Sequence, residues 1–367
     1  MKMKRAYNKI LGLLMYLPVC MEILKCHIFE RIKMIKDRRI YTKQLLTEKE
    51  KSRIDSYWIA HYGKKINRAW HKYYKSYTGN LDEKYFPQIL YSTKLAHRLN
   101  PWHYTLVLSD KNLMTSLFSD TVCCPATYGK RCGKHYSNQS GDVVSKGQFI
   151  GELADIGKVV VKPTVGSSSG QGIKVCEIKN GVDLVSQREL TEILETYPSD
   201  FVIQQYVEQS EYLSRIYPHS VNTFRVITYI ANDQIHVAPI AMRFGAQGNI
   251  VDNIHAGGLM IGIDKDGTLK EYAYLEYGER FTEHPDTHIP FKNYRIPFVD
   301  RIEETAKRLH KKVPCLGMIS WDFTLNEKNE VVLVEVNLKG QSVCFMQEVH
   351  GKGLFEENTP YMLSLIR

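Results

Sequence analysis

With 367 residues, 43% of them hydrophobic and 24% charged, the chain has an ordinary globular composition and the length for two domains, or one with additions. Its formal net charge of +9 is uneven: residues 1–80 hold 19 Lys+Arg against 6 Asp+Glu, and the remainder holds 30 against 34. A basic N-terminal part of this kind serves as a solvated helical face or as a contact with anionic lipid. No recognition motif accompanies the charge, which argues against nucleic acid.

Residues 1–85 read as a basic helical region. Ile10–Met21 is free of charge but holds Pro18, and it falls short of the roughly 20 apolar residues a spanning helix needs. No small-x-small cleavage site follows, so a signal peptide is not expected. Leu24, Ile28, Ile32 and Ile35 recur at helical spacing among Arg31, Lys33, Lys36, Arg38 and Arg39, the pattern of an interfacial amphipathic helix. Thr47-Glu48-Lys49-Glu50 has the form of a capping box. The aromatics of Trp70–Tyr77 are expected to pack a helix onto its neighbours and not to form an open stacking surface. The eight cysteines form no disulfide framework in a chain this long. Cys123, Cys124, Cys132 and His135 lack a CxxC pair, so free thiols in a reducing cytoplasm are expected in place of zinc.

Residues 86–156 mix the two periodicities and read as a small α/β region. Thr105–Leu108 is a strand candidate, Ser109-Asp110-Lys111 opens a helix, and 129–147 reads as an extended loop. From Val159 the chain turns β-rich, with strands expected at 159–162, 172–178, 201–207, 223–230, 235–244, 259–263, 317–325 and 331–337. Glu303–Lys312 is a helix stopped by Pro314.

Two motifs carry chemistry. Val159-Val160-Val161-Lys162-Pro163 leads into Gly166-Ser167-Ser168-Ser169-Gly170-Gln171-Gly172. The lysine precedes the glycines, a strand follows them, and no G-x-G-x-x-G spacing is present. Both a P-loop and a dinucleotide fingerprint are thereby excluded, and a small-residue flap over phosphates or a plain hairpin turn remains. In Val331–Asn337, side-chain alternation puts Glu335 and Asn337 on one face, with Val334 and Val336 expected towards the core. A turn centred near residues 328 and 329 sets Asp322 opposite Glu335. Such facing carboxylates hold a hard cation such as Mg²⁺ or sit on a solvated, charge-paired surface.

The order of these motifs resembles that of ATP-grasp ligases, over about residues 105–340, and the chain is most similar to the sugar-transfer-associated ATP-grasp proteins of bacterial polysaccharide synthesis. The resemblance implies an α+β fold in which two subdomains clasp ATP, preceded by the small α/β region and the basic helical extension. Its subdomains would be 157–215, with flap and hinge, and 216–367, with the metal-binding strands. It assigns Lys111, Lys162, Gly166, Ser167, Ser168, Ser169, Gly170, Gln204, Gln205, Tyr206, Val207 and Glu211 to ATP. Asp322, Glu335 and Asn337 fall to two Mg²⁺ ions, with Mn²⁺ as a substitute, and Arg243, Asn253 and His255 to catalysis. Gln204 stands where the family often has an acid, and Leu338-Lys339-Gly340 replaces its small-residue and proline turn. The implied reaction is carboxylate–amine ligation through an acyl phosphate in the cytoplasm, on a sugar or polysaccharide precursor. The basic N-terminus would then contact the membrane's inner face or its glycosyltransferases. A kinase acting on a hydroxyl and a non-catalytic ATP-binding module are the alternatives.

Overall fold

The computed structural model describes residues 2–165, 170–198, 200–276 and 278–367, the first fourteen of these through the backbone alone. The helices used below are α1 (Lys2–Lys36), α2 (Glu48–Tyr62), α3 (Ala69–Thr78), α4 (Trp102–Leu108), α5 (Lys111–Phe118), α6 (Lys146–Glu152), α7 (Leu190–Glu195), α8 (Val299–His310) and α9 (Cys344–His350). The strands are β1 (Thr127–Cys132), β2 (His135–Asn138), β3 (Val143–Val144), β4 (Gly157–Pro163), β5 (Lys174–Lys179), β6 (Val182–Asp183), β7 (Phe201–Gln205), β8 (Thr223–Ala231), β9 (Gln234–Val237), β10 (Ala241–Phe244), β11 (Leu259–Ile263), β12 (Leu269–Tyr274), β13 (Arg280–Phe281), β14 (Met318–Leu325) and β15 (Val331–Asn337).

The described residues form two antiparallel sheets, which makes the protein α+β as expected. The first sheet has the order β3-β2-β1-β7-β4-β5-β6, and the second β13-β12-β11-β10-β8-β14-β15 with β9 paired to β8. The first sheet runs from residue 127 to 205, so position 156/157 falls inside it. One of its faces packs Val159, Val161, Phe201 and Ile203 against Phe149 and Leu153 of the α6 region and Ile193 and Leu194 of α7. Alternation turns Lys162, Val202 and Gln204 to the other face. Lys162 pairs with Val202 and Val160 with Gln204 across β4 and β7.

The second sheet buries Phe224, Val226, Met242, Phe244, Ile261, Trp321, Phe323 and Leu333 against Ile302, Ala306 and Leu309 of α8. At one end of its opposite face, Ile227, Tyr229, Ala241, Met260 and Met318 join a core with Ile54, Trp58, Trp70, Tyr73, Tyr74, Tyr77 and Met346. The 70–77 aromatics thus pack as expected. The capping box is also present: Glu50 N donates to Thr47 Oγ1 at 3.2 Å, and Thr47 N to Glu50 Oε2 at 2.8 Å.

Four local expectations are corrected. Thr105–Leu108 lies in α4, where Thr105 N donates to Pro101 O at 3.2 Å. Pro101 presets the entry dihedral, and a four-residue apolar run cannot by itself distinguish helix from strand. The 129–147 stretch contains β1, β2 and β3, whose half-wet faces leave little apolar alternation to read. The 235–244 strand divides into β9 and β10 around Pro239, which has no N–H to give a ladder. In β15, Asp322 faces Glu335 but Phe323 faces Leu333, so Val334 is an extra residue, a β-bulge. Leu333 and Val336 therefore reach the core, and Val334 does not.

Candidate functional site

The charged end of the second sheet meets the lysine-bearing face of the first. Lys111 opens α5, where Asp110 caps the helix and Lys111 N donates to Thr164 O at 3.1 Å, tying the helix start to the end of β4. Lys111 Nζ lies 3.1 Å from Glu335 Oε1, and Lys162 Nζ is 3.4 Å from Val334 O. The bulge thus turns a carbonyl towards the second lysine. Burial first, and then the neighbouring Lys111, push the Lys162 ammonium down to about 8 against the pull of Glu335. Burial alone would raise the Glu335 carboxyl, but Lys111 and Lys162 outweigh it and hold that group below its ordinary value.

Asp322 is buried between two arginines. Arg225 Nε lies 2.6 Å from its Oδ1, and Arg243 Nη2 lies 3.0 Å from its Oδ2. Asn337 Nδ2 donates to the same Oδ2 at 3.2 Å. Arg243 also approaches Asp252 at 3.4 Å and donates to Thr223 Oγ1 at 2.8 Å, while the Thr223 hydroxyl donates to Asp252. Burial opposes the charge on Arg225, Arg243 and Asp252. It lowers Arg225 together with Arg243's repulsion, and it raises Asp252 despite Arg243. Arg243 is nevertheless held above its usual value by Asp252 and Asp322. Four cations and three carboxylates therefore meet at the junction of the sheets, among the described residues, with one positive charge in excess.

The remaining expected residues are distributed around this cluster. Gln204 is buried, donates to Thr127 Oγ1 at 3.3 Å, and leaves its Oε1 without a donor. Gln205, Tyr206 and Val207 line a cleft of about 260 Å³ with Cys124, Asn326 and Glu330. Lys158 Nζ lies 3.7 Å over the Tyr206 ring. Glu211 begins a short helix capped by Ser210 and is exposed. Gly166, Ser167, Ser168 and Ser169 lie outside the described residues. Gly170 follows them with φ +75°, and a Cβ there would sit 3.5 Å from Val251, so this end of the loop touches the segment leading to Asp252. Tyr197 Oη is 3.1 Å from Val161 O and 2.7 Å from Gly172 O, which fastens both sides of the loop's base.

Asn253 and His255 do not join the cluster. Asn253 caps a 3₁₀ turn, accepting from His255 N at 2.9 Å. His255 Nδ1 lies 2.9 Å from Glu276 Oε1, and its ring meets Phe345 at 5.9 Å. Arg225 and Thr223, by contrast, belong to the cluster though no sequence motif marks them. Their signal was the placing of a threonine and an arginine on one face of a strand whose other face, Phe224 and Val226, is apolar.

The model of the sugar-transfer associated ATP-grasp family matches residues 90–360. The chain belongs to that family. No protein of curated function matches this ATP-grasp chain. Among solved structures it is similar to the VanG D-Ala:D-Ser ligase of Enterococcus faecalis, with 15% identity, a TM-score of 0.41, and coverage of 76% of this chain and 62% of that one. The D-alanine-D-alanine ligase of Helicobacter pylori gives 13% identity, a TM-score of 0.41, and coverage of 72% and 61%. N5-carboxyaminoimidazole ribonucleotide synthetase of Thermotoga maritima gives 11%, 0.40, and 72% and 51%. The chain thus spans less than two thirds of each of these structures, and the family membership rests on the sequence match.

Proposed function

We propose that this ATP-grasp protein is an ATP- and Mg²⁺-dependent ligase that joins a carboxylate to an amine, one of them part of a sugar or polysaccharide precursor. The observation that carries the reading is the meeting of Lys111 and Lys162 with Arg225, Arg243, Asp322 and Glu335 between the sheets. Phosphoryl transfer to a carboxylate sets an anion against an anion, and convergent fixed cations are what lower that barrier.

Lys111 and Lys162 hold ATP's phosphates in this reading, and Arg243 and Arg225, aimed by Asp322, face the phosphoryl group in transfer. The orphan Gln204 Oε1 suits the exocyclic amino group of adenine. Gln205, Tyr206 and Val207 border the base, and Glu211 the ribose. The donor set fits a magnesium ion carried with the phosphates. Asp322 and Glu335 stand opposite in register, Asn337 shares their face, and Asp322 Oδ1 has no aligned donor. These three residues would hold the ion, whose chemistry when bound is to neutralise charge on phosphoryl oxygens. The substrate carboxylate attacks the γ-phosphate, giving acyl phosphate and ADP. The amine then displaces inorganic phosphate, forming the amide and losing a proton. An acyl phosphate must be kept from water, and Gly170 stands against Val251, next to Asp252 of the charge cluster, where a cover would act. His255 and Asn253 are occupied elsewhere and receive no step.

Incubation with Mg-ATP, hydroxylamine and a panel of sugar acids and amino acids tests the proposal. A ligase releases ADP and yields a hydroxamate, and Lys162→Met lowers that yield about a hundredfold or more. ADP release with a phosphorylated hydroxyl and no hydroxamate identifies a kinase and overturns the reading.

A further inference from the structure

The helix α1 is inside out. Over its side-chain-described part, Glu30 is buried against the body and Lys33 is half-buried beside it, with Asp37 buried just past the helix end. Lys33 Nζ lies 5.5 Å over the Tyr73 ring and 5.7 Å over that of Phe345. Burial alone would lower the Lys33 ammonium, but Cys344, Glu348, Glu30 and Asp37 outweigh it and hold it well above the usual lysine value. Glu30 and Lys33 of the helix are thus engaged with the protein.

The opposite side is apolar and open. Leu17, Met21, Leu24, Ile28, Ile32 and Ile35 follow one another at intervals of three or four residues, which stacks them along one line of a helix. They are between 46% and 71% exposed. A water-soluble surface helix has the reverse arrangement, and an apolar strip this long marks an interaction site. Its flanks are cationic: Lys25, Arg31, Lys36, Arg38 and Arg39 are all exposed. Glu22 is the one exposed carboxylate between residues 16 and 39, among the described residues, and helical geometry turns it away from the strip.

We propose that α1 lies flat on an anionic phospholipid surface, with the Leu17–Ile35 strip among the acyl chains and Lys25, Arg31 and Lys36 among the headgroups. Three observations favour lipid over the alternatives. Pairing the strip with a second copy would bring the flanking cations of both chains together without acids to answer them, the opposite of a matched coiled coil. The flank charge complements anionic headgroups. Among the described residues no helix is long and apolar enough to cross a membrane, which leaves the interface and not the bilayer interior. The inner face of the helix, opposite the strip, packs beside the segment that carries His255. Phe345, which Lys33 overlies, is the residue whose ring meets His255.

The test is co-sedimentation of the full chain with vesicles of phosphatidylcholine, with and without phosphatidylglycerol, and it reads no enzymatic activity. The wild type is expected to sediment with the phosphatidylglycerol vesicles and not with pure phosphatidylcholine. Ile28→Asp with Ile32→Asp lowers partitioning by roughly a hundredfold or more. Lys25→Gln with Arg31→Gln lowers it roughly fivefold for each lost cation and leaves the apolar strip whole, so this pair decides the matter should the aspartates disturb folding. Equal binding to neutral vesicles overturns the electrostatic half of the proposal. Undiminished binding by the double-aspartate chain overturns it altogether. So does a dimer by light scattering that the aspartates dissolve while vesicles bring nothing down.

Discussion

One face of the second sheet carries two surfaces that share strands but not physics. Towards one end, Ile227, Tyr229, Ala241, Met260 and Met318 lie under the helical N-terminal region and α9. Two residues further along the same strands, Arg225, Arg243 and Ser320 begin a surface of paired charges that faces the first sheet. The apolar end is stabilised by area removed from water, which is indifferent to partner identity. The charged end coheres only while cations and carboxylates match, and every one of its groups can exchange its partner for a ligand's charge. Where the helical cover stops, the sheet changes from scaffold to site.

Breaking the charged end at its centre has the largest expected effect. Asp322→Ala leaves the buried guanidiniums of Arg225 and Arg243 without their shared carboxylate and should cost about 3–5 kcal/mol in urea unfolding. A mutant as stable as wild type would mean that the cluster is no structural unit. At the apolar end, Met318→Ala opens a cavity under the helices, for about 2–4 kcal/mol, yet leaves ATP affinity unchanged in the folded fraction. Loss of affinity in that variant would join the two ends that the comparison separates.

Lys162→Met should go the other way, raising unfolding stability by about 1–3 kcal/mol while ATP binding disappears, because the ammonium is held in the protein against its desolvation. The sign can be followed by pH. Lys162 titrates near 8 when folded and at 10.5 in its ordinary state, so between those values the unfolded chain binds more protons and wild-type stability rises with pH. That component of the slope should vanish in Lys162→Met, as comparative denaturation at pH 7, 8, 9 and 10 would reveal. Glu335 behaves oppositely. Its depressed folded value adds stability above the ordinary carboxylate range, which is lost as pH falls through that value. Smallest of all is Gly170→Ala, where a left-handed φ of +75° should cost about 1–2 kcal/mol at the loop and leave both ends of the sheet as they are.

The charged end was partly legible in the sequence because strand alternation is a rigid rule. Glu335, Asn337 and their register with Asp322 follow from counting twos across a turn. The bulge at Val334 does not, since an extra residue leaves no compositional trace, yet it is what turns Val334's carbonyl to Lys162. Arg225 does not stand out in the sequence because Thr223–Ile230 reads as an ordinary strand, and only knowing which face meets the other sheet makes an inward arginine conspicuous. The polar hairpins of β1–β3 read as loop for a related reason. Their pairing is decided by β7, some 70 residues away, and their own sequence shows little of it. Thr105–Leu108 failed through shortness: four apolar residues after a proline suit either state until their surroundings choose.

Asn100 has a consequence for where this protein can be divided. Its side chain donates to Met318 O at 2.7 Å and to Leu338 O at 2.9 Å, and accepts from Met318 N at 3.0 Å, pinning the entry of β14 to the exit of β15. It hangs from the helical stretch that closes over the apolar core, and that core takes in Met34, Ile40, Tyr41 and Leu46, well before the family match opens at residue 90. The boundary drawn by kinship and the boundary drawn by packing, from Met34 to residue 90, therefore differ by 56 residues. An expression fragment cut at the former would expose Tyr229, Met260 and Met318 to water and should aggregate, whereas one that keeps the chain from Glu30 onward retains the residues packed on this core.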